Sequence, residues 1–266
     1  MRSVIVLILI TAALLAAKRP ADKVTLKQVG EKNLLYSIKA MDYFGGNLYV
    51  LDFNSTLNKV NLETGEKTRI GTTSFPNEKF MFALNARIYI IETDGSLTEV
   101  NLETGEWKLL TNMSVWTRTE RAFVVRNSLY TIENGALYFH RGPVYDARDQ
   151  KGGSEFYNPG MLVRGVATLY SVQSEGSVYE ISLADGSWKR IGKGKNWKGT
   201  KAAAVIADKL YTIDQADNLS ETSLTDGTKT TLDETQFADT RILFAEKGKL
   251  YVVLSTGTLY EVEIAK

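Results

Sequence analysis

An apolar residue followed by tyrosine recurs along the chain at a nearly constant interval. Successive pairs are 40 or 41 residues apart. They are Leu48-Tyr49, Ile88-Tyr89, Leu129-Tyr130, Leu169-Tyr170, Leu210-Tyr211 and Leu250-Tyr251. Self-similarity at a period of this length indicates an architecture in which each repeat is one unit of secondary structure. The sequence therefore predicts six structural repeats.

Each repeat contains short segments that are apolar throughout or alternate between apolar and polar residues, as expected for strands. An apolar segment such as Lys79–Leu84 precedes the pair, and an alternating segment such as Leu97–Val100 follows it. A turn such as Thr104-Gly105 then leads into a further strand, because glycine supplies the positive φ that tight turns need. Four strands in each of six repeats predict an all-β fold, a six-bladed β-propeller with antiparallel blades.

The two ends of the chain complement each other. The sixth repeat ends at Lys266 after its third strand, so its outer strand is missing. Residues 23–30 resemble the outer strand Trp188–Gly192, and Val29 precedes Leu48 by the same 19 residues that separate Ile191 from Leu210. We therefore expect the N-terminal strand to complete the last blade, which leaves no open sheet edge at the seam.

The first 17 residues differ from the repeats. One arginine precedes the unbroken apolar run Val4–Ala17, and Lys18-Arg19-Pro20 follows it. This layout is typical of a secretory signal peptide, and 14 apolar residues are fewer than the ~20 that span a bilayer as a helix. We expect residues 1–17 to be a signal peptide and residues 18–266 to be one secreted or periplasmic propeller domain. A permanent membrane anchor is the alternative.

Composition narrows the classes of partner. Without residues 1–17 the chain has 31 basic and 31 acidic side chains, since one of its 32 Lys and Arg residues is Arg2. A balanced charge argues against nucleic acid as a partner. The chain contains no cysteine, so neither a disulfide nor a thiolate metal site is available. We expect a monomer with no membrane contact after signal cleavage.

Every repeat carries an aromatic residue in the loop before its first strand, 12 or 13 residues before the apolar-tyrosine pair. These residues are Tyr36, Phe75, Trp116, Tyr157, Trp197 and Phe237. One interpretation is that each ring is a wedge packed between neighbouring blades. The other is that the rings are platforms for a sugar or another ligand, for which Trp116, Tyr157 and Trp197 are the best candidates.

Basic residues lie at the start of the first strand in four repeats: Lys39, Lys79, Lys201 and Arg241. Hairpin turns place Asp52, Glu92 and Asp214 opposite the three lysines. We therefore expect cross-strand ion pairs that neutralise this rim rather than a cationic site. Arg241 has no such partner, because it faces Leu254. The predicted ligand-binding residues are Trp116, Arg118, Tyr157, Trp197, Lys198, Phe237 and Arg241.

The third repeat departs most from the pattern. It places Glu120 opposite Glu133, and residues 141–153 contain no recognisable outer strand.

His140, the sole histidine of the sequence, falls on the third strand, where we expect a surface side chain. The first strands are apolar in their middles, as in Ala202-Ala203-Ala204, and offer no ring of carboxylates for Ca²⁺. The sequence therefore predicts neither a cofactor nor a catalytic residue.

The segment 190–201, followed by Leu210-Tyr211, resembles a blade of the tachylectin-2 family and, more loosely, of tectonin-type lectin propellers. This resemblance implies binding of amino sugars at loops between blades, near Trp197. The segment Val60–Gly65 is also similar to repeats of pyrroloquinoline-quinone-type bacterial propellers. This similarity implies the fold and not the chemistry. The sequence favours a binding module for a carbohydrate or a protein surface. The alternative is a propeller enzyme of lactonase, hydrolase or quinoprotein type that uses the central channel.

Overall fold

A computed structural model describes residues 24–112, 114–142, 148–233 and 236–265. The predicted signal peptide, residues 1–17, lies outside the described residues. The described residues form six antiparallel sheets of four strands each, so the predicted six-bladed β-propeller is confirmed. Blades one to five contain consecutive strands, and blade six combines the last three strands with the first.

Within each blade the strands follow one another from the channel to the periphery. The inner strands are β2 (Ile38–Phe44), β6 (Glu78–Leu84), β10 (Thr119–Val125), β14 (Met161–Arg164), β18 (Thr200–Ile206) and β22 (Thr240–Glu246). The second strands are β3 (Asn47–Asp52), β7 (Arg87–Glu92), β11 (Ser128–Glu133), β15 (Leu169–Val172), β19 (Lys209–Asp214) and β23 (Lys249–Leu254).

The two remaining positions lie farther out. The third strands are β4 (Thr56–Asn61), β8 (Leu97–Asn101), β12 (Ala136–His140), β16 (Val178–Ile181), β20 (Leu219–Ser223) and β24 (Leu259–Ile264). The outer strands are β1 (Val24–Val29), β5 (Lys67–Ser74), β9 (Trp107–Thr111), β13 (Arg148–Gln150), β17 (Trp188–Ile191) and β21 (Lys229–Asp233). A 3-10 helix, Ser154–Tyr157, precedes β14. The short β13 pairs with β12, so the expectation that blade three lacks an outer strand is wrong.

The seam forms as the sequence predicts. Strand β1 pairs antiparallel with β24 along its whole length, from Val24 opposite Ile264 to Val29 opposite Leu259. The N-terminal strand is thus the outer strand of blade six, which has four strands like the other blades.

The core lies between the blades. The second strand of each blade is buried on both faces, so its residues alternate between two neighbouring interfaces. Leu48 and Val50 pack toward blade six, whereas Tyr49 and Leu51 pack toward blade two. The repeated apolar-tyrosine pair therefore supplies one side chain to each interface.

The peripheral turns of neighbouring blades pack on glycines. Gly65, in the turn between β4 and β5, has φ +74°, and a Cβ on it would lie 2.1 Å from the Cα of Gly30 in blade six. Gly105 and Gly71 repeat this contact between blades two and one. The Thr-Gly turn therefore serves two purposes, because glycine provides the left-handed conformation and also allows the close approach.

Five of the six inner strands contain one extra residue near their start. In blade one Ile38 is opposite Asp52 and Ala40 is opposite Leu51, so Lys39 has no partner across the strands. The equivalent extra residues are Lys79, Glu120, Lys201 and Arg241. The bulge shifts the register by one residue, and the predicted cross-strand pairs Lys39–Asp52, Lys79–Glu92 and Lys201–Asp214 are therefore wrong.

Candidate functional site

The propeller has two faces, which we name by the connections on them. The inner strands begin at the loop face, which is crossed by the loops from one blade to the next. They end at the turn face, where tight turns join them to the second strands. Sequence analysis predicts the binding residues on the loop face, since all seven lie in the blade-to-blade loops or at the start of the inner strands.

A layer of apolar side chains lies beneath the loop face. One residue from each loop is inserted between two blades, and all six are at most 4% exposed. We name this set the wedge layer: Leu35, Phe75, Trp116, Phe156, Trp197 and Phe237. The sequence prediction placed Tyr36 and Tyr157 in this ring, and both positions are wrong by one residue. A strict spacing of 13 residues before each apolar-tyrosine pair identifies Leu35 and Phe156 instead.

Backbone hydrogen bonds hold the wedge layer to the preceding blade. The amides of Trp116, Phe156 and Trp197 donate to the carbonyls of Gly95, Gly135 and Gly176, at 2.9, 3.0 and 3.3 Å. The Nε1–H of Trp197 donates to Thr222 Oγ1 at 2.9 Å. Trp116, Trp197 and Phe237 therefore lie where the packing interpretation expects them. Contact of these three side chains with a ligand stays a prediction.

Tyr157 lies on the surface directly above the wedge layer. Its side chain is 69% exposed, and its ring packs on Gly135, where a Cβ would come within 2.5 Å of the ring. Because Gly135 has no side chain, the ring lies close to the backbone on one side. Of the aromatic residues predicted to bind ligand, Tyr157 is the one that the structure exposes.

Two further exposed aromatic residues lie on the loop face of blade one, and sequence analysis assigned neither to the site. Tyr36 is 67% exposed and Phe53 is 64% exposed. The amide of Phe53 donates to the carbonyl of Ser37 at 2.8 Å, which places the two loops side by side. The sequence gives no repeated signal for Phe53, because the equivalent turn residues in the other blades are polar.

Four blades have a cation at the bulge, and each of these bulge cations contacts the next blade or the loop that leads into it. Lys79 Nζ donates to the Thr117 carbonyl at 2.9 Å, and Arg241 Nη2 donates to the Ile38 carbonyl at 2.9 Å. Lys201 contacts Asp217 and the Phe237 carbonyl, and Lys39 pairs with Glu78 at 2.9 Å.

Arg118 and Lys198 are exposed on the same face. Of the three predicted cationic ligand residues, Arg241 thus contributes to the junction between blades six and one.

His140 is not a surface residue, and that prediction is wrong. Its side chain projects from the third strand of blade three into the interface with blade two, and it is 1% exposed. Its Nε2 lies 2.8 Å from Thr131 Oγ1, and its ring centre lies 5.1 Å from that of Trp116. Glu133 contacts both Thr131 and Arg148. Burial lowers the pKa of His140 to about 4, although the Glu133 carboxylate acts in the opposite direction.

The central channel contains an ion pair that the apolar pattern of the inner strands did not predict. Arg164, the last residue of β14 in blade four, contacts Asp42 on β2 in blade one, on the opposite side of the ring. Its guanidinium lies 4.3 Å from the centre of the Tyr43 ring. Asp42 also accepts hydrogen bonds from the amides of Tyr43 and Ala83, at 2.9 and 2.8 Å. Burial alone would lower the pKa of Arg164, but the Asp42 carboxylate raises it.

The Arg164–Asp42 pair divides the channel into two chambers. On the turn-face side lies a cavity of about 470 Å³, and on the loop-face side lies one of about 240 Å³. Arg164 lines both.

The described part of the chain contains no cluster of three His, Cys, Asp or Glu side chains that could hold a metal ion. It also contains no helix long and apolar enough to cross a membrane.

Comparison with known proteins supports the fold assignment. No protein-family model matches the chain, and the search of curated proteins found no match. It superposes on the structure of luciferin-regenerating enzyme with a TM-score of 0.57 and 10% identity, over 91% of this chain and 95% of that chain. For virginiamycin B lyase from Staphylococcus aureus, a catalytically inactive variant with quinupristin, the values are 0.56 and 11%, over 90% and 88%.

A third similar structure is PorZ, an essential bacterial surface component of the type-IX secretion system of Porphyromonas gingivalis. Its TM-score is 0.54 at 11% identity, over 89% of this chain and 37% of that chain. At such low identity these three likenesses show the propeller fold alone. None of the three is a lectin of the tachylectin-2 type, so that resemblance stays a sequence-based expectation.

Proposed function

We propose that the chain is an exported, non-enzymatic binding module whose ligand contacts the loop face. The observation that carries this proposal is Tyr157, a ring that lies over a glycine and is 69% exposed on the loop face, next to the buried wedge Phe156. An aromatic ring with one open face and a hydroxyl at its edge is suited to stack on a ligand that has both apolar and polar surfaces. Export rests on the signal-like segment 1–17.

A carbohydrate is the ligand class that we favour. Sugar rings combine a flat apolar face with polar hydroxyls, and tyrosine offers an apolar face and a hydroxyl in return. The exposed cations Arg118 and Lys198 lie in the loops on either side of the Tyr157 loop, and each carries several hydrogen-bond donors. The resemblance of segment 190–201 to a lectin blade agrees with this choice.

A protein surface is the second candidate, and blade one favours it. Tyr36 and Phe53 are both about two thirds exposed and lie in adjacent loops. Neighbouring exposed aromatic residues are typical of the centre of a protein interface, where tyrosine and phenylalanine are enriched. The two candidates therefore depend on different blades, and the same set of variants can separate them.

The test is a glycan array followed by titration of the retained oligosaccharide into Tyr157→Ala and Tyr36→Ala. Under the carbohydrate proposal, Tyr157→Ala weakens binding by roughly 1 to 3 kcal/mol while Tyr36→Ala leaves it unchanged. Equal melting temperatures for both variants and the parent show that the fold is intact. The carbohydrate proposal fails if no glycan is retained, or if Tyr157→Ala binds the retained glycan as tightly as the parent does.

The enzyme alternative makes a different prediction. A lactonase or quinoprotein would hold a metal ion in the channel, so metal analysis of the purified chain would detect tightly bound Ca²⁺. Stoichiometric calcium that survives dialysis would overturn the proposal of a non-enzymatic module.

A further inference from the structure

The turn face carries a cavity that the proposed function does not use. Its floor is a ring of six side chains at equivalent positions of the six blades: Tyr43, Ala83, Val124, Arg164, Val205 and Ala245. Its rim consists of the tight turns that follow the inner strands, including Arg126 and Lys247. A volume of about 470 Å³ lies within the ~300 to 1,000 Å³ typical of small-molecule sites.

Arg164 departs from the chemistry of its own layer. The other five residues are uncharged, and four of them are alanine or valine. Taking an ion pair out of water costs about as much as the attraction returns, so packed apolar residues serve stability as well or better. Stability of the layer therefore does not explain why blade four places an arginine where its neighbours place small apolar residues.

The guanidinium of Arg164 is held in one orientation. Asp42 contacts its Nη2, and the ring of Tyr43 lies against its face at 4.3 Å. Asp42 is fixed in turn by the amides of Tyr43 and Ala83. A guanidinium has five N–H donors in a planar fork, so one carboxylate does not use all of them. The group is thus preorganised at the bottom of a cavity, as recognition of a planar anion requires.

The charges around the cavity are unequal. Three cations line it, Arg164 at the floor and Arg126 and Lys247 at the exposed rim, whereas Glu246 is the one carboxylate in the lining among the described residues. The Glu246 carboxylate accepts a hydrogen bond from the Gly46 amide at 2.8 Å. The apolar wall consists of Val124 in blade three and of Val205 and Ile206 in blade five, the two blades that flank Arg164.

We propose that this cavity binds a small organic acid, with its carboxylate on Arg164 and its apolar body against Val124, Val205 and Ile206. The partly buried cation selects the negative group, because a carboxylate can take the fork of N–H donors that a neutral group fills poorly. The apolar wall favours an aromatic or aliphatic body over a polar one. The rim cations attract the acid from solution, an effect that salt screens.

The first experiment titrates the intact chain with naphthoate and with naphthamide, its uncharged counterpart of nearly the same shape. We expect naphthoate to bind at least about tenfold more tightly, and the advantage to shrink as salt is added. Amide resonances of Val124, Val205 and Lys247 on the turn face should shift in NMR spectra, whereas those of Tyr157 should not. Equal binding of the two compounds, shifts confined to the loop face, or no binding at millimolar concentration would overturn the proposal.

Variants then separate recognition from folding. Arg164→Met alone would leave Asp42 buried without its partner, so the informative variant is Asp42→Asn with Arg164→Met, which should lose roughly tenfold or more in naphthoate affinity. Asp42→Asn alone should strengthen naphthoate binding several-fold, because the competing carboxylate is gone. Arg118→Gln, on the other face, is the matched control and should leave affinity within about twofold. If the double variant binds naphthoate like the parent, or Asp42→Asn weakens it with the fold intact, Arg164 does not bind the acid.

Discussion

The wedge layer and the row of residues directly after it in the chain show opposite behaviour around the ring. The wedge residues are all apolar and all buried. The residues that follow them are all exposed and share no chemical type: Tyr36, Pro76, Thr117, Tyr157, Lys198 and Ala238. One step along the chain thus separates a position fixed by packing from a position that packing leaves free.

This contrast shows where a repeat protein can acquire a ligand. Six nearly equal blades must fill six nearly equal interfaces, so the wedge position tolerates only side chains that fill the gap. The next position meets solvent in every blade, and its side chain is free to differ. A repeated aromatic residue therefore indicates packing, whereas an aromatic residue at a position that varies between blades indicates a candidate contact.

The largest effect should come from shortening a wedge. Phe156→Ala and Trp197→Ala should each destabilise the fold by ~3 to 5 kcal/mol, because a large buried side chain is lost and a cavity remains. Trp197→Ala also removes the donor to Thr222 Oγ1. Denaturant unfolding measures the change, with Tyr157→Ala as the neighbouring control. A loss below ~1 kcal/mol for both variants would show that the layer does not carry the packing that we assign to it.

The buried cluster beside Trp116 should make stability depend on pH. Burial holds the folded-state pKa of His140 at about 4, below the 6.5 of a free histidine. The unfolded chain therefore binds a proton first as pH falls, and stability is lost between pH 6.5 and 4, by ~3 kcal/mol in all. Unfolding at several pH values, compared between the parent and His140→Gln, isolates this contribution. Parallel curves for the two proteins would contradict it.

The bulge cations should matter much less than the wedges, although they connect the same blades. Lys201→Met removes a partly exposed contact with Asp217 and a bond to the Phe237 carbonyl. Partly exposed ion pairs contribute little, so we expect a loss below ~1 kcal/mol, and the same for Lys79→Met. Thermal melts of both variants provide the measurement. A loss of several kcal/mol would show that the polar contacts at the rim, rather than the apolar wedge layer, stabilise the junction between blades.

The smallest effect on stability should come from Tyr157, the residue next to the wedge Phe156. Tyr157→Ala removes an exposed ring, so we expect the free energy of unfolding to change by less than ~0.5 kcal/mol. Comparison with Phe156→Ala in the same unfolding experiment sharpens the contrast between two adjacent residues. A large loss for Tyr157→Ala would place its ring in the packing and weaken its role as a platform.

Sequence analysis could predict the period, the number of blades and the seam, because these depend on spacings that recur six times. It failed where one residue is added or displaced. The bulge at Lys39 is invisible in a pattern of charges, and it moved the predicted ion pairs by one position. The choice of Tyr36 and Tyr157 as wedges followed residue type rather than spacing, and Leu35 shows that a wedge need not be aromatic.

Contacts across the channel could not be predicted from any local pattern in the sequence. Asp42 and Arg164 are 122 residues apart, and nothing in either strand indicates its partner until the six blades are arranged in a ring. His140 was misplaced for a related reason: the sequence shows that the third strand lies away from the channel, but not that a neighbouring blade covers this side chain. A site made by opposite blades therefore requires the closed fold before it can be recognised.

Closure at the seam also has a consequence for the kinetics of folding. Strands β1 and β24 are separated by nearly the whole length of the chain, whereas the inner hairpins pair residues a few positions apart. The entropy of closing so long a loop is lost before the pairing returns any energy, and contacts of high sequence separation slow folding. Blades one to five can form from local contacts as the chain emerges. The sixth must wait for the two ends to meet, so the step that makes the molecule a ring is the one we expect to set its rate of folding.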